Sequence, residues 1–389
     1  MRIGKRARTT GGRTLGLVLS GGGARGAFQV GVYERLLRDP RFAGGPEVLS
    51  GTSAGAINAA LIAAGRSPAE VMDFWNRIAD DPPVFASPLF FQSLITTVLR
   101  LGVHELGIWL TTPARTLLPF LRRAAHHMPP RAGTPLALWF DYMLTSRFDI
   151  VSKLLEGIAE PFVADTARLR ERLVQEFGGE VVPLNGRRLA INTVDAHTGN
   201  VVRYVTTRTR LTKPPDYLVV EAITVDMILA SCSIPLLFPT VEIDGRWLWD
   251  GGLLVNTPLA PVVALGADEI VTVLVTEPPD ATSGRFPHFG RAVERTVDSI
   301  LENAYNVDRK LLLDRNRLAH FESSPYREVT LYDAVRPARD GRFNAGSYLY
   351  FEREVLDGMR KAGRRAAAAW LAAGPRVDRL DPPAAGEAA

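Results

Sequence analysis

Cysteine is almost absent: Cys232 is the only one in 389 residues. A single thiol excludes an intramolecular disulfide and any metal site built on a cysteine cluster, and it fits a reducing compartment. Histidine is scarce too, with only His104, His126, His127, His197, His288 and His320 to supply a catalytic imidazole. No apolar run reads as a membrane span. Pro82 to Leu99 is uncharged, but Pro82, Pro83 and Pro88 break its first half. The N-terminal Arg2, Lys5, Arg6 and Arg8 resemble the charged start of a secretion signal, yet the apolar stretch from Leu15 to Leu19 is too short to complete one. The net charge of +4 is carried mostly by arginine, with no dense basic block interleaved with aromatics. A nucleic-acid partner therefore has no support, whereas anionic headgroups or phosphates remain compatible. The expectation is a cytoplasmic or peripheral membrane protein.

What the chain has is a 46% apolar composition, enough for a sizeable core. Thr14 to Ser20 reads as a buried strand, Ala27 to Arg38 as a helix, Glu47 to Gly51 as a second strand and Ala54 to Ala64 as a small-residue helix. Pro68 opens a further helix. Strand and helix alternating in this way predict a parallel α/β sheet with right-handed crossovers. From about 82 to 183 the texture changes to Leu, Phe, Trp and Pro at helical spacing. It reads as a helical insertion, whether a cap, a membrane-facing surface or an ordinary subdomain. Strands resume at Leu189 to Val194 and Val201 to Thr207. A helix is expected over Val219 to Ala230 and a hairpin around Asp244-Gly245. A short helix over Pro258 to Leu265, a strand at Glu269 to Thr276 and an edge strand at Glu328 to Tyr332 follow. Long helices are expected over Phe289 to Asp314 and Ser347 to Ala373. Pro375 to Ala389 reads as a disordered tail.

Two glycine-bearing motifs carry the chemistry. Gly51-Thr52-Ser53-Ala54-Gly55 has the G-x-S-x-G form of a nucleophile elbow, in which Ser53 sits on a tight strand-to-helix turn that side chains at positions 51 and 55 would block. A plain helix-capping serine is the bland alternative. Gly21-Gly22-Gly23-Ala24-Arg25-Gly26 satisfies G-x-G-x-x-G, but a dinucleotide site wants an acidic residue after the second strand, and Gly51-Thr52-Ser53 stands there instead. The other reading is an oxyanion loop of backbone amides, with Arg25 either adding positive charge or facing solvent. The base is then the missing part. His320 alone comes late enough for a Ser-His-Asp order, and nothing around it marks a catalytic loop. Asp250 is the stronger candidate: it ends the run Trp247-Leu248-Trp249 and precedes Gly251-Gly252, which let the backbone bend close to another segment. A carboxylate against a serine hydroxyl can serve as general base.

Taken together, GGGARG, GTSAG, the run Ala230-Ser231-Cys232-Ser233-Ile234-Pro235-Leu236-Leu237-Phe238-Pro239 and DGG at 250–252 resemble the patatin-like phospholipases, in family order over roughly residues 15 to 265. The resemblance implies a three-layer α/β/α sandwich with a mostly parallel sheet and a Ser-Asp dyad. Ser53 would be the nucleophile and Asp250 the proton acceptor. Gly22, Gly23 and Ala24 would donate oxyanion amides, with Gly21, Arg25 and Gly26 completing the loop. Asn256 matches a polar position seen after the DGG segment, without a role. The expected organisation is a basic lead-in over 1–13, a catalytic domain over 14–265, a C-terminal completion over 266–374 and a tail over 375–389. The expected activity is hydrolysis of phospholipid or other acyl esters, without metal or cofactor and with possible contact to a membrane surface. A triad hydrolase using His320, a hydrolase of soluble esters and a non-catalytic lipid binder are the rivals.

Overall fold

The computed structural model describes residues 13–111, 152, 155–206, 216–278, 289–321, 323–339, 342, 343 and 345–379. These fall into two compact units, one formed within Phe85–Asp165 and Leu236–Pro239 and the other by the rest.

The larger unit is built on one mixed sheet. Its strands are β1 (Leu15–Leu19), β2 (Val48–Gly51), β5 (Arg188–Asp195), β6 (Val201–Val205), β7 (Tyr217–Val219), β8 (Val241–Ile243), β9 (Arg246–Asp250), β10 (Glu269–Val273) and β11 (Thr330–Leu331). The lateral order is β11-β10-β1-β2-β5-β6-β7. The run from β11 to β5 is parallel, as the alternating strand-helix sequence predicts. β6 and β9 are antiparallel to β5. Continuous apolar strands such as LGLVL bury both faces, so each face needs a helical cover.

One face is covered by α1 (Gly26–Leu36), α2 (Ala54–Ala63), α3 (Pro68–Asp80), α5 (Ala167–Phe177), α6 (Val225–Ser231) and α9 (Arg353–Ala372). α7 (Leu259–Ala264) and α8 (Phe289–Leu318) cover the other. Every residue of α2 is buried, because small side chains let it sit between sheet and neighbouring helices. α3 starts on a capping box: the Ser67 hydroxyl accepts from the Glu70 amide, the Glu70 carboxylate accepts from the Ser67 amide, and Pro68 takes the first turn.

The smaller unit holds the short antiparallel pair β3 (Phe85–Ala86) and β4 (Ala164–Asp165), and the helix α4 (Pro88–Thr111). Val163 and Ala164 donate amides to Leu236 and Leu237, and the Thr97 hydroxyl donates to the Gly157 carbonyl at 2.7 Å. Leu89, Ile95, Leu99 and Val103 are exposed on α4. The 82–183 stretch is thus not of one piece. Leu169, Leu173 and Phe177, on one stripe of α5, are buried in the main core.

Other differences have local causes. The helix expected over Val219 to Ala230 starts only at Val225. Tyr217–Val219 pairs with β6, and Thr224 caps the helix by accepting from the Met227 amide. The last long helix begins at Arg353, after a 3-10 turn at Ala345–Tyr348. The start of the supposed tail is ordered: Val377 bridges Tyr332, and Arg309 pairs with Asp378. The remainder of that tail, residues 380–389, lies outside the described residues, as do 1–12.

Leu173→Ala should cost about 2–5 kcal/mol in urea unfolding, the range for a buried leucine truncated in a packed core. Leu318→Ala, on the exposed side of α8, should change stability by less than about 0.5 kcal/mol.

Candidate active site

The central constraint is the way β5 is shared. Its first half, Arg188–Ile191, pairs with β2, so that Gly51 lies opposite Ile191. Its second half pairs with β9, and Asp250 lies opposite Thr193. Residues 193 and 194 also pair with β6, so β9 must occupy the same edge of β5 as β2. β2 and β9 run in opposite directions and meet end to end over Asn192. Ser53, two residues past β2, and Asp250, the last residue of β9, are thereby brought together.

Ser53 occupies the N-cap position of α2 with no capping bond from its side chain, at φ 55° and ψ −127°, a left-handed conformation unfavourable for any residue but glycine. Such a residue costs about 1–3 kcal/mol and persists only when its surroundings fix it. The surroundings here are specific. The Ser53 amide donates to the Ser231 hydroxyl at 3.0 Å, and that hydroxyl donates to the Asn192 carbonyl at 2.6 Å. The Asn192 side-chain amide donates to the Gly51 carbonyl at 2.8 Å and to the Ser50 hydroxyl at 3.2 Å. The Thr52 hydroxyl donates to the Val255 carbonyl at 2.7 Å. The two elbow glycines are required by space: a Cβ at Gly51 would lie 2.1 Å from the Gly55 carbonyl oxygen, and one at Gly55 would lie 2.2 Å from that of Leu19.

Asp250 is 4% exposed. Its amide donates to the Ser233 carbonyl at 2.8 Å, and its Oδ1 accepts the Gly252 amide at 2.6 Å. Burial pushes the carboxyl up to about 7. The Gly252 amide and a hydrogen bond from the Ser53 side chain pull the other way. Gly251 follows because a Cβ there would stand 2.4 Å from the Asn192 carbonyl oxygen. Cys232 lies close by. Burial first, and then the Asp250 charge, push its thiol well above the ordinary value, so it is not a thiolate nucleophile.

The glycine loop lies at the end of β1, beside the elbow. A Cβ at Gly21 would be 3.3 Å from the Ser53 Cβ. Hydrogen bonding sorts its six amides. Gly21 donates to the Asn256 carbonyl, Arg25 to Gly22, and Gly26 to Gly23 and Ala24. Those of Gly22, Gly23 and Ala24 have no protein acceptor among the described residues, the requirement for amides that are to meet a ligand oxygen. The Arg25 side chain does not face solvent. It is fully buried and donates to Ser347, Val275 and Phe343, away from solvent.

His320 follows the end of α8, where Asn316 bonds the backbone of Val329 just before β11. That is the end of the sheet where the parallel strands begin, opposite to the end where Ser53 follows β2, so His320 is not brought to the serine. His126, His127 and His288 lie outside the described residues. Among the described residues no group of three or more His, Cys, Asp or Glu could hold a metal ion, and no helix is long and apolar enough to cross a membrane. A surface cleft of about 610 Å³ is lined by residues of α3 and α5, including Arg77, Arg172 and Glu176, and by none of the residues above. Sequence reasoning missed Asn192 and gave Ser231 and Asn256 no role. A buried asparagine inside LAINTVD was the one available signal.

The family model for patatin-like phospholipases matches residues 17–263. The chain belongs to the patatin-like phospholipase family. The family is one of lipid ester hydrolases, and its α/β/α fold is the sheet and helical layers described above. No curated protein sequence matches the chain. Several solved structures are similar at low identity. VipD from Legionella pneumophila is 15% identical, with a TM-score of 0.36 over 95% of this chain and 68% of that one. The type III effector ExoU is 19% identical, with a TM-score of 0.35 over 93% and 53%. A heterodimeric ExoU–SpcU complex from Pseudomonas aeruginosa gives 17% and 0.28 over 92% and 59%. The chain thus spans just over half the length of ExoU.

The raised Asp250 pKa has a stability consequence with a definite sign. Between about pH 4 and 7 the folded protein holds a proton that the unfolded chain has lost, so stability falls as pH rises through this window and levels off above it. Asp250→Asn removes that burden and keeps an oxygen for the Gly252 amide. The variant should exceed wild type by about 2–4 kcal/mol in urea unfolding at pH 8, a gap that closes toward pH 4.

Proposed function

We propose that this patatin-like protein is a lipid acyl hydrolase of the phospholipase A or lysophospholipase type, working through Ser53 and Asp250. The observation that carries the reading is a buried carboxyl poised at about 7 and hydrogen-bonded by the serine of a strained elbow. A general base works best with a pKa near the working pH, and burial supplies that here without histidine.

The Ser53 hydroxyl attacks the ester carbonyl carbon while its proton passes to Asp250. The carbonyl oxygen becomes an oxyanion held by the amides of Gly22, Gly23 and Ala24. Collapse of the tetrahedral intermediate breaks the ester C–O bond, the departing alkoxide takes the proton from Asp250, and an acyl-Ser53 remains. Water then attacks this ester, giving a proton to Asp250, and the proton returns to Ser53 as the fatty acid leaves. The elbow places the serine at the N-terminus of α2, whose dipole favours the developing negative charge. No step calls for a metal or cofactor. Peripheral contact with a bilayer through the exposed apolar residues of α4 belongs to the same reading.

Ser53→Ala and Asp250→Asn should each lower kcat by about 10²–10⁴-fold without unfolding the protein. Lipid products from phospholipid vesicles, followed by mass spectrometry, are the direct measure. Free fatty acid and lysolipid should appear with wild type and not with Ser53→Ala, and full turnover by Asp250→Asn would sink the dyad. kcat/KM should rise with pH to half its maximum at about 7. Hydrolysis of a short-chain soluble ester with no turnover of vesicles would favour a soluble-ester enzyme. A fluorophosphonate that leaves Ser53 unlabelled would favour a lipid binder.

A further inference from the structure

The match to the family ends at residue 263, yet the glycine loop is held from beyond it. Arg25, on the last turn of the loop, is 0% exposed. Its Nε donates to the Ser347 hydroxyl at 2.9 Å, Nη1 to the Val275 carbonyl at 3.1 Å and Nη2 to the Phe343 carbonyl at 2.7 Å. The guanidinium carbon lies 3.6 Å from the centre of the Tyr348 ring, and the Asp298 carboxylate supplies the counter-charge at 3.9 Å. The Tyr348 hydroxyl donates to the same carboxylate at 3.1 Å. On the backbone side the fit is as close: a Cβ at Gly23, where φ is +54°, would lie 2.1 Å from the Tyr348 carbonyl oxygen.

Three directed hydrogen bonds and a stacked ring leave a planar guanidinium one orientation. Arg25 also donates its amide to the Gly22 carbonyl, so its backbone is part of the same turn that carries the unpartnered amides of Gly22, Gly23 and Ala24. We propose that Phe343, Ser347 and Tyr348 together form a positioning element of the active site, which clamps Arg25 and thereby fixes where the three loop amides point. The element touches no reacting atom and acts only through the loop. This rests on the Ser53 reading above. Donors of this kind act through fixed geometry, and a displacement of about 1 Å in a catalytic group costs on the order of 10²-fold in rate.

The test uses the full chain with Tyr348→Ala, Tyr348→Phe and Ser347→Ala. A soluble short-chain ester is the substrate, and kcat is counted per serine labelled by a fluorophosphonate, so that loss of folded protein does not enter. Tyr348→Ala should lower kcat about tenfold or more with KM within twofold, and slow the labelling in parallel. Tyr348→Phe keeps the ring under the guanidinium and should stay within twofold of wild type. Ser347→Ala removes the Nε acceptor and should lower kcat at least threefold. It decides the matter if Tyr348→Ala does not fold. A merely structural segment would lower Tm in the alanine variants and leave kcat per labelled serine unchanged. That result, in an enzyme whose activity is lost in Ser53→Ala, overturns this proposal alone. Full activity in Ser53→Ala overturns the dyad reading and this proposal with it.

Discussion

The site depends on one strand having two successive partners along the same edge. β5 is long enough to pair with β2 and then with β9, and only this end-to-end meeting brings a serine and an aspartate from opposite-running strands to one point. Asn192 sits at the junction. Its side chain holds the end of β2, and its carbonyl receives the Ser231 hydroxyl and the close approach of Gly251. An asparagine can do this because it offers donors on the side chain and an acceptor on the backbone within the width of one residue.

The same junction concentrates features that oppose folding. A serine at positive φ and a carboxyl taken out of water each lower stability by kilocalories. The surrounding structure offsets them with full burial of α2, hydrogen bonds of Asn192, Ser231 and Thr52 around the elbow and a polar network behind it. In that network Trp75 donates to Asn58, Asn58 donates to Gln29 and the Gly26 carbonyl, and Gln29 donates to the Ser20 carbonyl. It ties α1, α2 and α3 to the ends of both the strand and the loop. Residues that do not touch the site are thus committed to keeping it in an unfavourable conformation.

Much of this was legible in the sequence because it is local. The elbow glycines, the glycine loop, the Pro68 helix start and the Asp244-Gly245 hairpin each follow from the space or φ that a few adjacent residues require. What was not legible is what depends on distant partners. Arg25 reads as a surface or site cation until Phe343, Ser347 and Tyr348 close over it. Ser231 sits 178 positions from the serine whose amide it receives. Val219 to Ala230 has the composition of one helix, but pairing with β6 claims its start and the Thr224 cap resets its beginning. The stretch from 82 to 183 hides a boundary, since the apolar stripe of α5 is buried in the main core while Leu89, Ile95, Leu99 and Val103 of α4 are exposed.

The shared edge of β5 also sets a schedule. During synthesis the strand and helix that flank the elbow are made early, within the first seventy residues of the chain, although Asn192, Ser231 and Val255, whose bonds fix the elbow, come later. The partner carboxyl arrives only after β5 is in place and the chain has doubled back through β8 and β9. Pairings of such long sequence separation form slowly, after local ones. A growing or truncated chain therefore displays a serine with no base beside it, and the two halves of the chemistry are kept apart in time until the fold is nearly complete.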